Sequence, residues 1–259
     1  MGTPIVTLTT DWGDTGFFVG MVKGLLYSAV DNVQVVDISH RLEPYNVLTA
    51  TFVVRQACLG FPAGTVHIVD VATTHPYLCL KARGQYYLCC DNGLPYMVFG
   101  DTIEDAALLN VDPGKAYNFA AYSIFAPAAA MLLRGATLSD LGERPSQMVQ
   151  RTMPRYLPQG DNYRIYVHYI DNYGNAYLGM TLREFEELRA GRDFVLTVRD
   201  QEVTELMTSY YQHHASNDPR RKLRLTVSAT GLLELAVKES SLAQLLGLRV
   251  NESVLLRFK

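Results

Sequence analysis

The 259-residue chain has few of the features that would send it to a specialised class. It lacks a charge excess: net charge is -3, and charged residues make up 19% of the whole. A protein whose main partner is nucleic acid carries a basic footprint, and none exists here. No uncharged apolar run reaches the about 18 residues that a membrane span needs. The amino terminus, Met1-Gly2-Thr3-Pro4, runs straight into a strand without a basic region or an apolar stretch, so a cytoplasmic protein is expected. Val6 stands where a myristoylation signal would need Ser or Thr. The four cysteines (Cys58, Cys79, Cys89, Cys90) show no C-x-x-C spacing. They read as buried reduced thiols rather than a zinc site or a disulfide framework. Neither an internal repeat nor a low-complexity segment is present.

What is present is a periodic α/β pattern. Ile5-Val6-Thr7-Leu8-Thr9-Thr10 reads as a buried strand, Asp11-Trp12-Gly13 opens a polar loop, and residues 21–30 read as a helix. A second strand over 33–38 ends in Ser39-His40. A second helix starts near Glu43-Pro44-Tyr45-Asn46, with Asn46 or Glu43 available as its cap, and runs through Ala57. Thr65-Val66-His67-Ile68-Val69-Asp70 is a third buried strand. Strand-helix-strand-helix-strand implies a parallel sheet with right-handed crossovers. Tyr77 to Ala82 and Tyr86 to Cys90 read as a hairpin, and Ser123 to Leu133 as a helix of small residues.

Pro145, Pro154 and Pro158, with several glutamines, divide the chain. The expected organisation is an α/β domain over residues 1–150, a linker over 151–162 and a β-barrel-like domain over 163–259. In the last, 164–170, 194–198, 223–227 and 254–258 alternate as strands of a half-exposed antiparallel sheet, interrupted by helices at 181–190 and 240–247. The fold class is thus α/β: a Rossmann-like, mostly parallel sheet plus a smaller β-barrel-like domain.

In open α/β sheets ligands bind beyond the carboxyl ends of the strands, which singles out Asp11 and Asp70. Asp11 reads either as a ligand contact or as a turn cap. His40 reads as a hydrogen-bonded strand end. His67 and His168 fall within strands and His213-His214 in a polar stretch, and none has a third metal ligand at useful spacing.

Several segments, taken in order, resemble the S-adenosylmethionine hydroxide adenosyltransferases and the related fluorinases and chlorinases. They are Thr9-Thr10-Asp11-Trp12-Gly13 (family T-D-F-G) with Val19-Gly20 and Lys23-Gly24; Val36-Asp37-Ile38-Ser39-His40; Phe61-Pro62-Ala63-Gly64-Thr65-Val66; Asp91-Asn92-Gly93; Ile124-Phe125-Ala126-Pro127-Ala128-Ala129; Ile170-Asp171-Asn172-Tyr173-Gly174-Asn175; and Gly231-Leu232-Leu233-Glu234-Leu235-Ala236. The resemblance implies a homotrimer with ligand sites at subunit interfaces and S-adenosylmethionine as substrate or ligand, with no further cofactor. The implied chemistry is displacement of methionine at the 5′ carbon by water or a halide. It places Asp171 and Asn175 at or close to the amino acid end of that molecule, Tyr45 beside the substrate and Phe119 in the adenosyl pocket. From the residues alone, Tyr45 is equally a tyrosine packed at a helix start and Phe119 an apolar strand end.

Three departures fall on the chemistry. Gly16 occupies the position of the family's second loop acid, which holds the ribose, leaving Asp14, two residues earlier, as the candidate replacement. The hydrolases' Arg-containing loop is shortened to Asp70-Val71-Ala72-Thr73-Thr74-His75-Pro76. The family's catalytic histidine aligns with Ala120. Thr73 resembles the halogenase threonine that helps hold a halide, but the Asp70 carboxylate would repel one. His75 reads as a relocated base, as a donor to an anion, or as a loop histidine without a role. Expected activity is S-adenosylmethionine hydrolysis through Asp70 and His75. The alternatives are an inactive binding module on the same scaffold and a halide adenosyltransferase.

Overall fold

The computed structural model describes residues 2–112, 114, 117–207 and 223–259, which fall into two compact units, Met1–Met153 and Pro154–Lys259. His213 and His214 lie outside the described residues.

In the first unit the elements are β1 (Ile5–Thr10), α1 (Phe18–Ala29), β2 (Gln34–Ser39), α2 (Val47–Ala57), β3 (Val66–Asp70), β4 (Tyr77–Ala82), β5 (Gln85–Cys90), α3 (Leu94–Phe99), β6 (Asp105–Leu109), a π-helical turn (Ala121–Phe125) running into α4 (Ala126–Leu133), α5 (Leu138–Leu141) and β7 (Gly142–Glu143). The described strands form one sheet in the order β2-β1-β3-β5-β4-β6-β7. The pairs β1/β2, β1/β3 and β3/β5 are parallel, while β4 is antiparallel to both β5 and β6. Five of the seven strands therefore run the same way.

Both faces of this sheet are covered, which is why β1 and β3 read as nearly unbroken apolar runs. One face packs Val6, Leu8 and Ile68 against Val22 and Leu26 of α1 and the small residues of α4. The opposite face packs Val69, Leu80 and Tyr87 against Ala50 and Val54 of α2. All four cysteines are free and buried, and burial pushes Cys79 up to about 12 and Cys58 up to about 11, so neither is a thiolate at neutral pH.

Local differences from the sequence expectation have local causes. The second helix begins at Val47 rather than at Pro44, because the Asn46 side chain accepts the Thr49 N–H at 3.0 Å and so defines the cap. The β4–β5 hairpin turns on Arg83 and Gly84, both at positive φ (54° and 71°), the pairing that suits the twist of the two strands. The small-residue helix expected from Ser123 starts with the π turn at Ala121.

The second unit carries β8 (Tyr156–Gln159), β9 (Asn162–Ile170), β10 (Ala176–Thr181), α6 (Leu182–Arg189), β11 (Phe194–Val198), β12 (Gln201–Val203), β13 (Leu206–Met207), β14 (Leu223–Val227), β15 (Leu232–Val237), α7 (Leu242–Leu246) and β16 (Ser253–Phe258). Among the described residues these strands make a curled, half-barrel sheet in the order β12-β11-β16-β9-β10-β15-β14-β13, with β8 added against β9. The segment expected to be linker thus contains a strand. Pro158 is compatible with it because β8 pairs only with β9 and lies on an edge, where a missing N–H is tolerated. Leu178, Phe185, Leu196, Leu235 and Leu256 fill the core of the unit.

Candidate active site

The order β2-β1-β3 creates the topological switch of the first sheet: the chain leaves β1 to form β2 on one side and returns to form β3 on the other. In register, Thr10 pairs with Asp70, so both strands end at the same level and their loops open together. Asp11, Trp12, Asp70 and Thr73 meet there.

Asp70 is 5% exposed, yet both carboxylate oxygens have donors. Oδ2 accepts the Trp12 indole N–H at 2.9 Å, and Oδ1 accepts the Thr73 hydroxyl. Burial pushes Asp70 up to about 6; the two hydrogen bonds work against that rise, and the neighbouring Asp11 charge adds to it. The loop after β3 is held by Asn92, whose side-chain N–H donates to the Val71 carbonyl at 3.2 Å, and by the Cys90 thiol on the Ala72 carbonyl at 3.6 Å. The D-N-G turn after β5 therefore shapes the loop that carries Thr73.

Asp11 accepts the backbone N–H of Tyr45 at 2.9 Å through Oδ2. Tyr45 has φ of 64°, an uncommon conformation for a bulky residue, and its side chain is 81% exposed. Its side chain thus projects from the turn before α2 rather than packing onto it. Phe119 packs edge-on against Trp12, with ring centroids 4.9 Å apart, and also against Phe18. Asp14 is exposed and paired with Arg41, whose Nε lies 2.7 Å from Oδ2, and this partner holds the carboxyl below its usual value.

His75 is exposed and its ring meets the edge of Tyr77 at 5.6 Å. The hydrogen bonds of Asp70 go to Trp12 and Thr73 instead. Ala120, where a family histidine would align, is 6% exposed. His40 does what its position suggested: Nδ1 shares a 2.8 Å hydrogen bond with Thr10 Oγ1 and Nε2 stands 3.0 Å from Asp37, which also takes Lys23 at 2.5 Å.

Sequence reasoning passed over Trp12 and Arg41 as site residues. Trp12 did carry a signal, since tryptophan in place of the phenylalanine of T-D-F-G adds one N–H donor to an otherwise apolar ring. Arg41 had none, because its pairing with Asp14 depends on how two loops meet.

Asp171 and Asn175 come together in the second unit. Asp171 Oδ1 accepts the N–H of Tyr173 and of Asn175, both at 2.9 Å, and Oδ2 accepts the Asn175 side chain at 3.2 Å. Gly174 sits at φ of 82° with Ser241 so close that a Cβ would fall 2.0 Å from its Oγ. This turn borders a cavity of about 730 Å³, also lined by Tyr177, Arg224 and Ser241. In the first unit an open groove on α1, lined by Gly20, Met21, Gly24 and Tyr122, includes none of the residues around Asp70. Among the described residues no group of three His, Cys, Asp or Glu side chains could hold a metal ion, and no helix is long and apolar enough to cross a membrane.

Residues 6–142 match the SAM hydroxide adenosyltransferase N-terminal domain and residues 165–255 the C-terminal domain of the same name. The (R)-S-adenosyl-L-methionine hydrolase of Salinispora tropica is 30% identical over 257 residues, covering 95% of this chain and 94% of that protein. A fluorinase of Actinopolyspora mzabensis is 36% identical, but over 80 residues, which are 31% of this chain and 26% of the fluorinase. A crystal structure of an uncharacterized conserved protein from Thermotoga maritima superposes with a TM-score of 0.82 at 24% identity, covering 98% of this chain and 99% of the other, a similarity of fold.

Proposed function

The chain belongs to the SAM hydroxide adenosyltransferase family, and on that premise we propose that it is an S-adenosylmethionine hydrolase. Water attacks the 5′ carbon, the C5′–O bond forms as the C5′–S bond breaks, and the bonding pair passes to sulfur. The products are adenosine, methionine and a proton. The observation that carries this reading is Asp70, a buried carboxylate clamped at the switch point by Trp12 and Thr73, which burial pushes up to about 6. Above that pH it is a base able to orient a water and take its proton, with a strength close to that of the working pH. Its charge favours the sulfonium and disfavours a halide, which argues for water as the nucleophile over a halide adenosyltransferase.

The remaining roles follow from placement. Asp11 spends one oxygen on Tyr45 and keeps the other for a ribose hydroxyl. Tyr45 and Phe119 offer aromatic surface to the adenosyl part, and Thr73 keeps Asp70 in place. Asp171 and Asn175 take the amino acid end. Asp14, in an exposed ion pair with Arg41, is the candidate for the second ribose contact. The same reading makes the protein a cytoplasmic homotrimer that needs no cofactor. One observation favours a second reading, a binding module without turnover: His75 faces Tyr77 and Ala120 replaces the aligned histidine, so Asp70 has no basic partner among its hydrogen bonds.

Incubating the protein at high concentration with S-adenosylmethionine, with and without added chloride or fluoride, and separating the products by chromatography decides between them. Adenosine that is lost in Asp70→Asn supports hydrolysis. Thermal stabilisation by the ligand without product supports the binding module. Halogenated adenosine would overturn the argument from the Asp70 charge.

A further inference from the structure

The indole of Trp12 does more at the switch point than fill space. Its ring lies stacked at 5.9 Å on His40, with an interplanar angle of 18°, and edge-on at 4.9 Å to Phe119. His40 is itself anchored by Thr10 and Asp37. An indole held on two sides has one direction for its N–H, and that direction is Asp70 Oδ2. With Thr73 on Oδ1, each oxygen of the carboxylate has one fixed donor and keeps a lone pair for another partner. Neither donor carries a charge, so the clamp orients Asp70 without neutralising it.

We propose that Trp12 is a positioning residue for Asp70: through its indole N–H, it and Thr73 hold the carboxylate in a single orientation, in place of a basic side chain. The inference rests on the reading of Asp70 as the group that activates water, and deepens it. A buried carboxylate without donors would be neutral at neutral pH and free to rotate; two hydrogen bonds to the charged form oppose both tendencies. The direction agrees with the physical causes acting on Asp70, where burial raises the value and the Thr73 and Trp12 hydrogen bonds lower it.

Trp12 is the single tryptophan of the chain, so uniformly ¹⁵N-labelled protein gives one indole N–H resonance that belongs to it. Asp11, Tyr77 and Cys90 also face Asp70 and His40 faces the indole, so the difference between wild type and Asp70→Asn is read. From pH 4.5 to 8 without S-adenosylmethionine, wild type should show an inflection at about pH 6 that Asp70→Asn loses. A resonance that stays still, or that moves in the same way in Asp70→Asn, overturns the proposal. The kinetic arm uses Trp12→Phe, which keeps an aromatic ring and removes the N–H. The acid limb of its kcat profile should move up by about one pH unit and kcat at pH 7 should fall about tenfold, while KM stays within about twofold. A fall in kcat with the acid limb unmoved would make Trp12 a packing residue and overturn its assigned role. If wild-type protein forms no adenosine but the indole resonance titrates with Asp70, the hydrolase reading fails and the clamp stands.

Discussion

Asp70 and Asp171 are both aspartates at the end of a strand, and the chain holds them in opposite ways. Asp171 is held mainly by its own turn: the backbone of Tyr173 and the backbone and side chain of Asn175, all within four residues, donate to it, and Tyr177 on the next strand also bonds to it. Asp70 is satisfied from elsewhere, by Thr73 nearby and by Trp12, 58 residues away in sequence. A carboxylate wrapped by adjacent backbone amides is a rigid binding element. One that is buried with two neutral side-chain donors is left with its charge state open to adjustment, which is what proton transfer needs. On the function proposed above, the contrast is between a group that recognises and a group that reacts.

The sharpest way to break this contrast is Asp70→Asn. Adenosine formation, read by chromatography, should fall by about 10²- to 10⁴-fold, the range for loss of a positioned base. The same change should stabilise the fold at pH 8. Asp70 is raised from 3.8 to about 6, so the folded state binds more protons than the unfolded state in that window. Stability is therefore greatest below the lower value and is lost as pH rises through the upper, by about 3 kcal/mol. Urea unfolding should show Asp70→Asn ahead by up to that amount at pH 8 and level with wild type at pH 4.

His67, on the same strand as Asp70, has the opposite linkage. Burial lowers it from 6.5 to about 4, so it stays neutral in the core while the unfolded chain takes up a proton. Its contribution is present above 6.5 and lost as pH falls toward 4, again about 3 kcal/mol. In wild type the two slopes offset each other. In Asp70→Asn the His67 slope should stand alone, and unfolding free energy should drop between pH 6.5 and 4. A wild type that loses as much over this range as the variant would show that Asp70 does not titrate where its surroundings place it.

Smaller effects probe the Asp171 turn. Asp171→Ala removes three hydrogen bonds and should destabilise by about 2 kcal/mol in urea unfolding while raising KM for S-adenosylmethionine more than it lowers kcat. Gly174→Ala, at positive φ and against Ser241, should cost about as much by backbone strain and steric overlap. At the bottom of the scale, Arg41→Ala breaks an exposed ion pair with Asp14, and the melting temperature should not change measurably.

Legibility followed the range of the interactions. The strands β1 and β3 were readable because strands buried on both faces are written as apolar runs. Asp171 and Asn175 were singled out by the family resemblance, and their turn is local, with acceptor, glycine and amide within five residues. The strand over 156–159 was obscured by Pro158, a residue that argues against a central strand but is tolerated at an edge. His75 is the titratable side chain in a loop that keeps Asp70, and where its exposed ring lies, at the edge of Tyr77, depends on the loop's path. Asp14 is the acid nearest the vacated position, and its exposed pairing with Arg41 is set by how two loops meet.

By itself the sequence determined the alternation of strands and helices, the family to which the chain belongs, and the loops in which its acids sit, because hydrophobic period, turn chemistry and motif spacing are local properties. Only the tertiary structure decided what those acids are. That Trp12 reaches Asp70, that Asp11 is held by Tyr45, and that Asp70 is pushed up to about 6 depend on two parallel strands ending in register and on the burial of Asp70 between their loops. Charge state and orientation are set by burial and by partners distant along the chain, and neither is a property of the residue that bears them.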